Sequence, residues 1–394
     1  MINKKKISGD ILLNIFSVAL STFCVQVVVY PVIAKNLTIE QYGKFLIIMA
    51  VANIMADCFG TAANNSRLIG SVNNKSDFRG DFCIFLFCSS IFCGIGVVIA
   101  GNYLFDIDFL VVSLSVLYVV LFICYNYATV YFRISLDFLK NFKCTALMIL
   151  GYCLGLPFVF CQELYMMPFI VGTFFAVFYI KLNYDIKFSL VKSGKFVENR
   201  KKFIILSISL FVGGAALYFD RFYIDHYFDA EAVALFAVAS VTAKSLSVII
   251  NPMSTVILSY LTRKQKMIRK IEFRKYILWL TLALPICYVF AIGVAPYVIK
   301  ILYPSYYFKV SDIVNFATLP ALAWSAGNVL QPIILRYCNL NVQILKDVIY
   351  IFIAITASAL LVPGFGLYGF CSALTLSGLV RFLFLFFVGE LKFE

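Results

Sequence analysis

The sequence has few charged residues and almost no histidine. Charged side chains make up 13% of its 394 residues and histidine occurs once, whereas a soluble globular domain is roughly a quarter charged. The single histidine, His226, has no Cys/His spacing around it that would indicate a metal site. The segment SGKF at residues 193–196 lacks the rest of a phosphate-binding loop, which argues against an ATPase. We therefore expect neither a metal nor a cofactor.

Hydrophobic residues, by contrast, make up 62% of the chain. They recur in runs of about 20 residues, the length of a transmembrane helix. The alternation typical of strands is absent, and a helix satisfies its own backbone hydrogen bonds in a bilayer. The sequence therefore predicts an all-α integral membrane protein with about twelve transmembrane helices. The predicted spans are residues 9–34, 43–66, 82–101, 109–132, 144–161, 167–184, 203–224, 232–260, 277–300, 313–335, 343–362 and 368–388.

Lysine and arginine lie mostly on one side of these predicted spans. Those on the opposite side are Lys35, Lys44, Lys300 and Lys309, and those inside spans are Arg221, Lys244 and Arg381. By the positive-inside rule, this distribution predicts a multi-pass membrane protein with both termini in the cytoplasm. The net charge of +13 then follows from topology, so no nucleic-acid partner is expected. The twelve cysteines lie almost all within spans, which predicts no disulfide framework.

The connecting segments show how the chain is divided. A solvated basic segment at residues 187–202, KFSLVKSGKFVENRKK, separates six predicted spans from six. The pattern ExxGxF at residues 40–45, which opens span two, is echoed by ExxAxF at residues 231–236, which opens span eight. We predict an N-terminal six-helix lobe (1–186), a cytoplasmic linker (187–202) and a C-terminal six-helix lobe (203–394) around a central cavity. The outer loops are short, leaving no room for an extracytoplasmic catalytic domain.

Polar side chains inside spans are functional candidates because the bilayer makes them costly. Lys244 lies about 18 Å into span eight, near the middle of a ~30 Å hydrocarbon core. The residues that share its helical face are Ser240, Ser247 and Asn251. We interpret this stripe as the lining of a wet cavity; alternatively, Lys244 pairs with a carboxylate between helices.

Span two carries a second polar stripe on one helical face, formed by Asn53, Asp57, Gly60, Asn64 and Arg67. Asp57 is deep enough to be a proton or sodium site, or the partner of Lys244. Arg67 lies at the inner end, where positive-inside anchoring would also explain it.

Two further charged positions have open interpretations. Arg381, in span twelve, faces the cavity or snorkels toward the inner surface. Asp220 and Arg221 lie about 26 Å into span seven, close to the outer interface. They are interpreted as an outer gate or, alternatively, as structural anchors.

The chain resembles a known family in several short motifs. The N-terminal stretch from NIFSVAL to ANNSRLIG is similar to the start of O-antigen flippases, the polysaccharide-transporter branch of the multidrug/oligosaccharidyl-lipid/polysaccharide exporter superfamily. The resemblance continues in ILYPSYY and LVPGFGLYGFCSAL, and departs from the family in the second half, where Ala234 and Phe236 replace a Gly-x-Tyr turn. The residues that carry it are Glu40, Tyr42, Gly43, Phe45, Phe59, Gly60, Arg67, Asp220 and Arg221.

The resemblance implies a function in lipopolysaccharide biosynthesis. Two lobes in alternating access would move an undecaprenyl-diphosphate-linked O-antigen repeat unit from the inner to the outer leaflet. The implied partners are this lipid-linked oligosaccharide, membrane lipids, a coupling H⁺ or Na⁺, and polysaccharide polymerase and chain-length machinery. The alternatives are a multidrug/cation antiporter of the same superfamily, a multispan polysaccharide polymerase or glycosyltransferase, and a flippase or exporter for peptidoglycan precursors, teichoic acid or capsule. A secondary transporter, not an enzyme, is the preferred interpretation.

Overall fold

The structure, a computed structural model, describes residues 4–73, 79–161, 163–184, 189–245, 270–337 and 341–392. These residues are helical apart from turns and short connections, and they contain no strand. The prediction of an all-α protein is therefore confirmed. By their internal contacts the residues group into two compact units, Met1–Glu231 and Ala232–Glu394.

The first unit contains most of the described helices. They are α1 (4–36), α2 (39–73), α3 (Arg79–Leu104), α4 (Phe109–Ser135), α5 (Phe138–Phe160), α6 (Met167–Asn183), α7 (Phe196–Leu217) and α8 (Phe219–Tyr227), and α9 (Ala230–Ala239) starts at its end. The predicted seventh span, α7 with α8, thus lies in this unit. The predicted division into lobes 1–186 and 203–394 stays a prediction.

The second unit begins within α9, and residues 241–245 after it are also helical. Its remaining described helices are α10 (Lys270–Leu302), α11 (Val314–Tyr337), α12 (Asn341–Lys392) and a short segment, Pro304–Val310, which precedes α11 at a 96° bend. Inside α12, Gly366 has φ 55° and ψ −134°, a conformation that L side chains rarely adopt. This glycine, three residues after Pro363, breaks α12 into the two spans predicted at 343–362 and 368–388.

The helices match the predicted spans in their length and in the apolar side chains that they expose. Seven described helices are long and apolar enough to cross a membrane, and two bent pairs raise the number to nine. Two shorter apolar helices, α6 and α9, and the second span within α12 make the set consistent with about twelve spans. Large apolar side chains such as Phe87, Leu104 and Trp279 are exposed on the helices, as expected for surfaces in contact with lipid.

The start of α2 shows how the ExxGxF motif at residues 40–45 and the residues just before it specify local structure. Thr38 and Gln41 form a capping box, in which each side chain bonds the backbone N–H of the other. A Cβ at Gly43 would overlap the carbonyl oxygen of Ala230, so only glycine permits this close approach. Phe45 is fully buried and packs against Tyr165 and other rings at centroid distances near 6 Å. The motif therefore seats α2 in the first unit.

The sequence suggested that the mid-chain basic segment is solvated, but the structure bonds part of it to α3. The Asp81 carboxylate of α3 is fully buried and accepts hydrogen bonds from the Ser193 backbone N–H (2.7 Å) and hydroxyl (2.5 Å). It also accepts one from the Asn199 side chain at 2.8 Å. Because a buried carboxylate needs such donors, the segment around Ser193 is fixed to α3.

Candidate functional site

The predicted stripe on α2 is bonded along its length to α4. At one end, Asn53 Oδ1 accepts a hydrogen bond from the Tyr118 hydroxyl at 3.1 Å. Asn53 Nδ2 lies 3.4 Å from the Tyr218 hydroxyl, in the turn between α7 and α8. The amide of Asn53 therefore joins α2 to α4 and to the turn between α7 and α8, and both of its polar atoms have protein partners.

Asp57 lies at an irregular point in α2. Residues Asp57–Thr61 form a π-helical turn, a feature that often marks functional sites. The Asp57 side chain is exposed and its carboxylate accepts a hydrogen bond from Asn126 Nδ2 at 2.9 Å. Among the described residues, no cationic group lies within 4.0 Å of this carboxylate. The arrangement leaves carboxylate oxygens accessible to a small cation or a proton.

Asn64 holds the next part of the contact between α2 and α4. Its Nδ2 donates to the Asn126 carbonyl and to the Thr129 hydroxyl, each at 2.8 Å. Its Oδ1 accepts from Arg133 Nη1 at 2.7 Å. With these bonds the orientation of the amide is determined, and its oxygen is directed at a cation.

Arg67 is buried at the end of the stripe, where its guanidinium packs on aromatic rings. Its Nη1 donates to the Tyr127 hydroxyl at 2.7 Å, and its Cζ lies 4.5 Å from the centre of the Tyr131 ring. In the described part of the chain, no carboxylate lies within 4.0 Å of it. The positive charge is thus held by cation–π contacts and by a neutral hydroxyl acceptor, not by an acid.

The Asp220–Arg221 pair connects α8 to α2 within the first unit. Asp220 is buried, and its carboxylate accepts from the Arg221 backbone N–H at 3.0 Å. Arg221 Nη1 donates to the Leu46 carbonyl at 2.5 Å, and its guanidinium lies over the Tyr218 ring at 4.9 Å. The pair lies just after a 52° bend between α7 and α8, so it fixes the geometry of this bend against α2.

The Lys244 stripe is described only in part. Ser240 is buried and its hydroxyl donates to the Ala237 carbonyl. Lys244 is half-buried, with its Nζ 5.5 Å from the centre of the Phe236 ring. Ser247 and Asn251 lie outside the described residues. Whether Lys244 lines a cavity stays a prediction.

Arg381 belongs to a buried charge cluster between α11 and α12. Its side chain is 1% exposed, its Nε lies 3.5 Å from Asp347 Oδ1, and its Nη2 donates to Asn328 Oδ1 at 3.1 Å. The Lys346 ammonium contacts both oxygens of Asp347, at 2.7 and 2.8 Å. The Trp324 ring lies 3.9 Å from the Arg381 guanidinium. The Arg381 side chain therefore does not extend to the membrane surface. Its charge is paired with the carboxylate of Asp347.

Sequence reasoning missed the residues that α4 contributes. Tyr118, Asn126, Thr129 and Arg133 are spaced 8, 3 and 4 apart, which places them on one helical face. This spacing was the available signal, but three of the four are neutral residues in a very apolar span. Asp81 and Asp347 were also missed. Among the described residues, no group of three or more His, Cys, Asp or Glu side chains is placed to hold a metal ion.

Comparison with known proteins identifies the fold. No protein-family model and no curated protein sequence matches the chain. Among solved structures, an inward-facing multidrug resistance MATE family transporter of the MOP superfamily has a TM-score of 0.68 at 12% identity, covering 96% of this chain and 98% of that one. The lipid II flippase MurJ, in an inward closed conformation, has a TM-score of 0.67 at 14% identity, covering 97% and 86%.

A MOP superfamily transporter from Pyrococcus furiosus, described as having a binding pocket of reverse polarity, is also similar. Its TM-score is 0.66 at 11% identity, covering 97% of this chain and 95% of that one. At these identities the similarity shows the fold alone, which is that of a multi-pass helical membrane protein. More particularly, it is the fold shared by MATE transporters and the flippase MurJ.

Proposed function

We propose that the protein is a flippase that moves an undecaprenyl-diphosphate-linked O-antigen repeat unit across the bacterial inner membrane, with both termini in the cytoplasm. The observation that carries this proposal is the positive charge on what we call the polar seam, the line of bonded polar side chains between α2 and α4. Its members are Asn53, Asp57, Asn64 and Arg67 of α2 and Tyr118, Asn126, Tyr127, Thr129 and Arg133 of α4. Arg67 and Arg133 both lie on it, and within the described residues neither has a carboxylate within 4.0 Å. Fixed cations without acid partners suit an anionic cargo such as a diphosphate.

The roles follow from chemistry at each position. The cationic and polar residues that would contact the diphosphate and sugars are Arg67, Lys244, Arg381, Asn53, Asn64, Ser240, Ser247 and Asn251. Of these, Arg381 has the weakest case because Asp347 already neutralises part of its charge. The sugars would form hydrogen bonds with the amide and hydroxyl side chains, while the lipid tail stays in the bilayer.

Alternating access between two six-helix lobes would carry the head group across. Asp57 is proposed as the coupling site for H⁺ or Na⁺, since its exposed carboxylate has no cationic partner among the described residues. Asp220 and Arg221 are proposed to stabilise the outer gate through the bond from Arg221 to Leu46. Polysaccharide polymerase and chain-length machinery are the proposed downstream partners.

A multidrug/cation antiporter is the second candidate, and one observation favours it. The exposed Asp57 carboxylate is a group that an organic cation would also bind. The two arginines on the same seam oppose a cationic cargo electrostatically. We therefore prefer the flippase.

Deletion of the gene in its host tests the proposal. The flippase function predicts loss of surface polysaccharide and accumulation of lipid-linked repeat units that remain accessible only from the cytoplasmic side, both restored by the wild-type gene. Unchanged surface polysaccharide together with new sensitivity to cationic drugs would contradict it in favour of the antiporter.

A further inference from the structure

Arg133, near the end of α4, is held in place by two amide side chains of α2. Its Nη1 donates to Asn64 Oδ1 at 2.7 Å and to Asn65 Oδ1 at 2.8 Å. A guanidinium Nη carries two hydrogens, so this nitrogen is fully used. Because Asn64 is itself fixed by Asn126 and Thr129, the orientation of the guanidinium plane is set by its neighbours.

The opposite edge of the same guanidinium is free. Its Nε and Nη2 have no hydrogen-bond partner among the described residues, and the side chain is exposed. These two groups donate in parallel from one planar edge, a geometry that matches two oxygens of a phosphate. A residue that served only as a positive-inside anchor would need no such support from two amides.

The charge around Arg133 is not neutralised locally. Asp137, four residues further along the chain and beyond the end of α4, lies 3.3 Å from Lys140 instead. Arg67 lies on the same face of α2 as Asn64, three residues later, and also has no carboxylate within 4.0 Å in the described part of the chain. Two fixed cations are therefore placed at the same end of the seam between α2 and α4.

From this geometry we infer that the Nε–Nη2 edge of Arg133 binds phosphate oxygens of the lipid-linked diphosphate, beside Arg67, where the substrate first enters from the predicted cytoplasmic leaflet. The inference rests on the proposed function and adds a site to it. Phosphate groups of anionic bilayer lipids share this chemistry, so the test includes both sources. The planar guanidinium of Arg133 donates two parallel hydrogen bonds to the phosphate. A lysine ammonium carries the same charge but lacks this geometry, so lysine is a poor replacement.

The test uses the full-length protein in nanodiscs of phosphatidylcholine. Undecaprenyl diphosphate and, separately, phosphatidylglycerol are titrated, and bound lipid is counted by native mass spectrometry. The variants are Arg133→Lys and Arg133→Gln, with Arg200→Gln as a matched control. Arg200 is an exposed arginine on the same predicted side, so its loss changes the net charge equally without touching the seam.

The expected result is that both Arg133 variants bind undecaprenyl diphosphate about tenfold more weakly, the loss of one good charge-assisted interaction. Arg200→Gln and phosphatidylglycerol binding should be nearly unchanged. Undiminished binding by Arg133→Lys would overturn the inference that the Nε–Nη2 edge binds the phosphate, while leaving the flippase proposal intact. An effect confined to phosphatidylglycerol would overturn the inference in favour of a bilayer-lipid site. Failure of the wild-type protein to bind undecaprenyl diphosphate would overturn both.

Discussion

The Asp57 carboxylate accepts a 2.9 Å hydrogen bond from the side-chain amide of Asn126. The contact joins a π-helical turn in α2 to the polar face of α4. It links the acid of the seam to the same helix that carries Arg133. Opposite charges therefore lie along one line of contacts within the first unit, with the acid deeper in the predicted span and the arginines at its end.

Replacement of Asp57 by asparagine should uncouple transport from an ion gradient. The amide oxygen can still accept from Asn126, so folding should be little affected, but the charge that binds H⁺ or Na⁺ is lost. The measurement is transport in proteoliposomes with and without an imposed proton or sodium gradient. Asp106→Asn is the matched control, since Asp106 is exposed in a loop and asparagine tolerates its positive φ of 46°. Retained stimulation in Asp57→Asn would rule out this acid as the coupling site.

Lys244 is predicted to contact the diphosphate. Lys244→Ala should abolish surface polysaccharide although the protein still inserts into the membrane, and Lys244→Arg should restore part of it because the positive charge returns. Surface polysaccharide is measured alongside the amount of membrane-inserted protein. Lys300→Ala, at an exposed lysine, should leave polysaccharide unchanged. Normal polysaccharide in the Lys244→Ala strain would contradict the assignment.

The Asp347–Arg381 pair is predicted to contribute to stability. Asp347→Ala leaves Arg381 and Lys346 buried without their counter-charge, which should lower the free energy of unfolding by about 3–5 kcal/mol. Thermal unfolding of the purified protein in detergent measures the change. Adding Arg381→Met to Asp347→Ala should recover part of the loss.

The control for this pair is Glu198→Ala, which removes an exposed ion pair with Lys202 and should change stability little. An Asp347→Ala variant as stable as the wild type would show that the buried pair contributes nothing to folding.

Asp81 is predicted to fix the basic mid-chain segment. Asp81→Ala removes the acceptor of three hydrogen bonds from Ser193 and Asn199, so the segment should detach more often. Limited trypsin digestion should then cut faster after Lys192 and Lys195. Glu198→Ala, which removes an exposed acid of the same segment, serves as the control. Equal cleavage rates in wild type and Asp81→Ala would show that these bonds do not hold the segment.

The membrane fold could be predicted from hydrophobic run length, since a span must be continuous in sequence. The α2 stripe could also be predicted, because one helix places residues three and four apart on the same face. Its partners could not be predicted, because Asn64 and Arg133 are 69 residues apart and nothing in the sequence specifies which helices touch. The contact between Asp81 and Ser193 could not be predicted for the same reason. It fixes to α3 a segment that the sequence suggested is solvated.

Direct measurement of lipid flipping tests the central claim. The purified protein is placed in liposomes with an undecaprenyl-diphosphate-linked oligosaccharide in both leaflets, and a glycan-cleaving enzyme is added outside. A flippase brings inner-leaflet substrate to the enzyme, so nearly all of the oligosaccharide should be cleaved, and Arg67→Gln should slow this step. If the inner-leaflet fraction stays protected with the wild-type protein under an imposed proton or sodium gradient, the protein is not a flippase for this class of lipid.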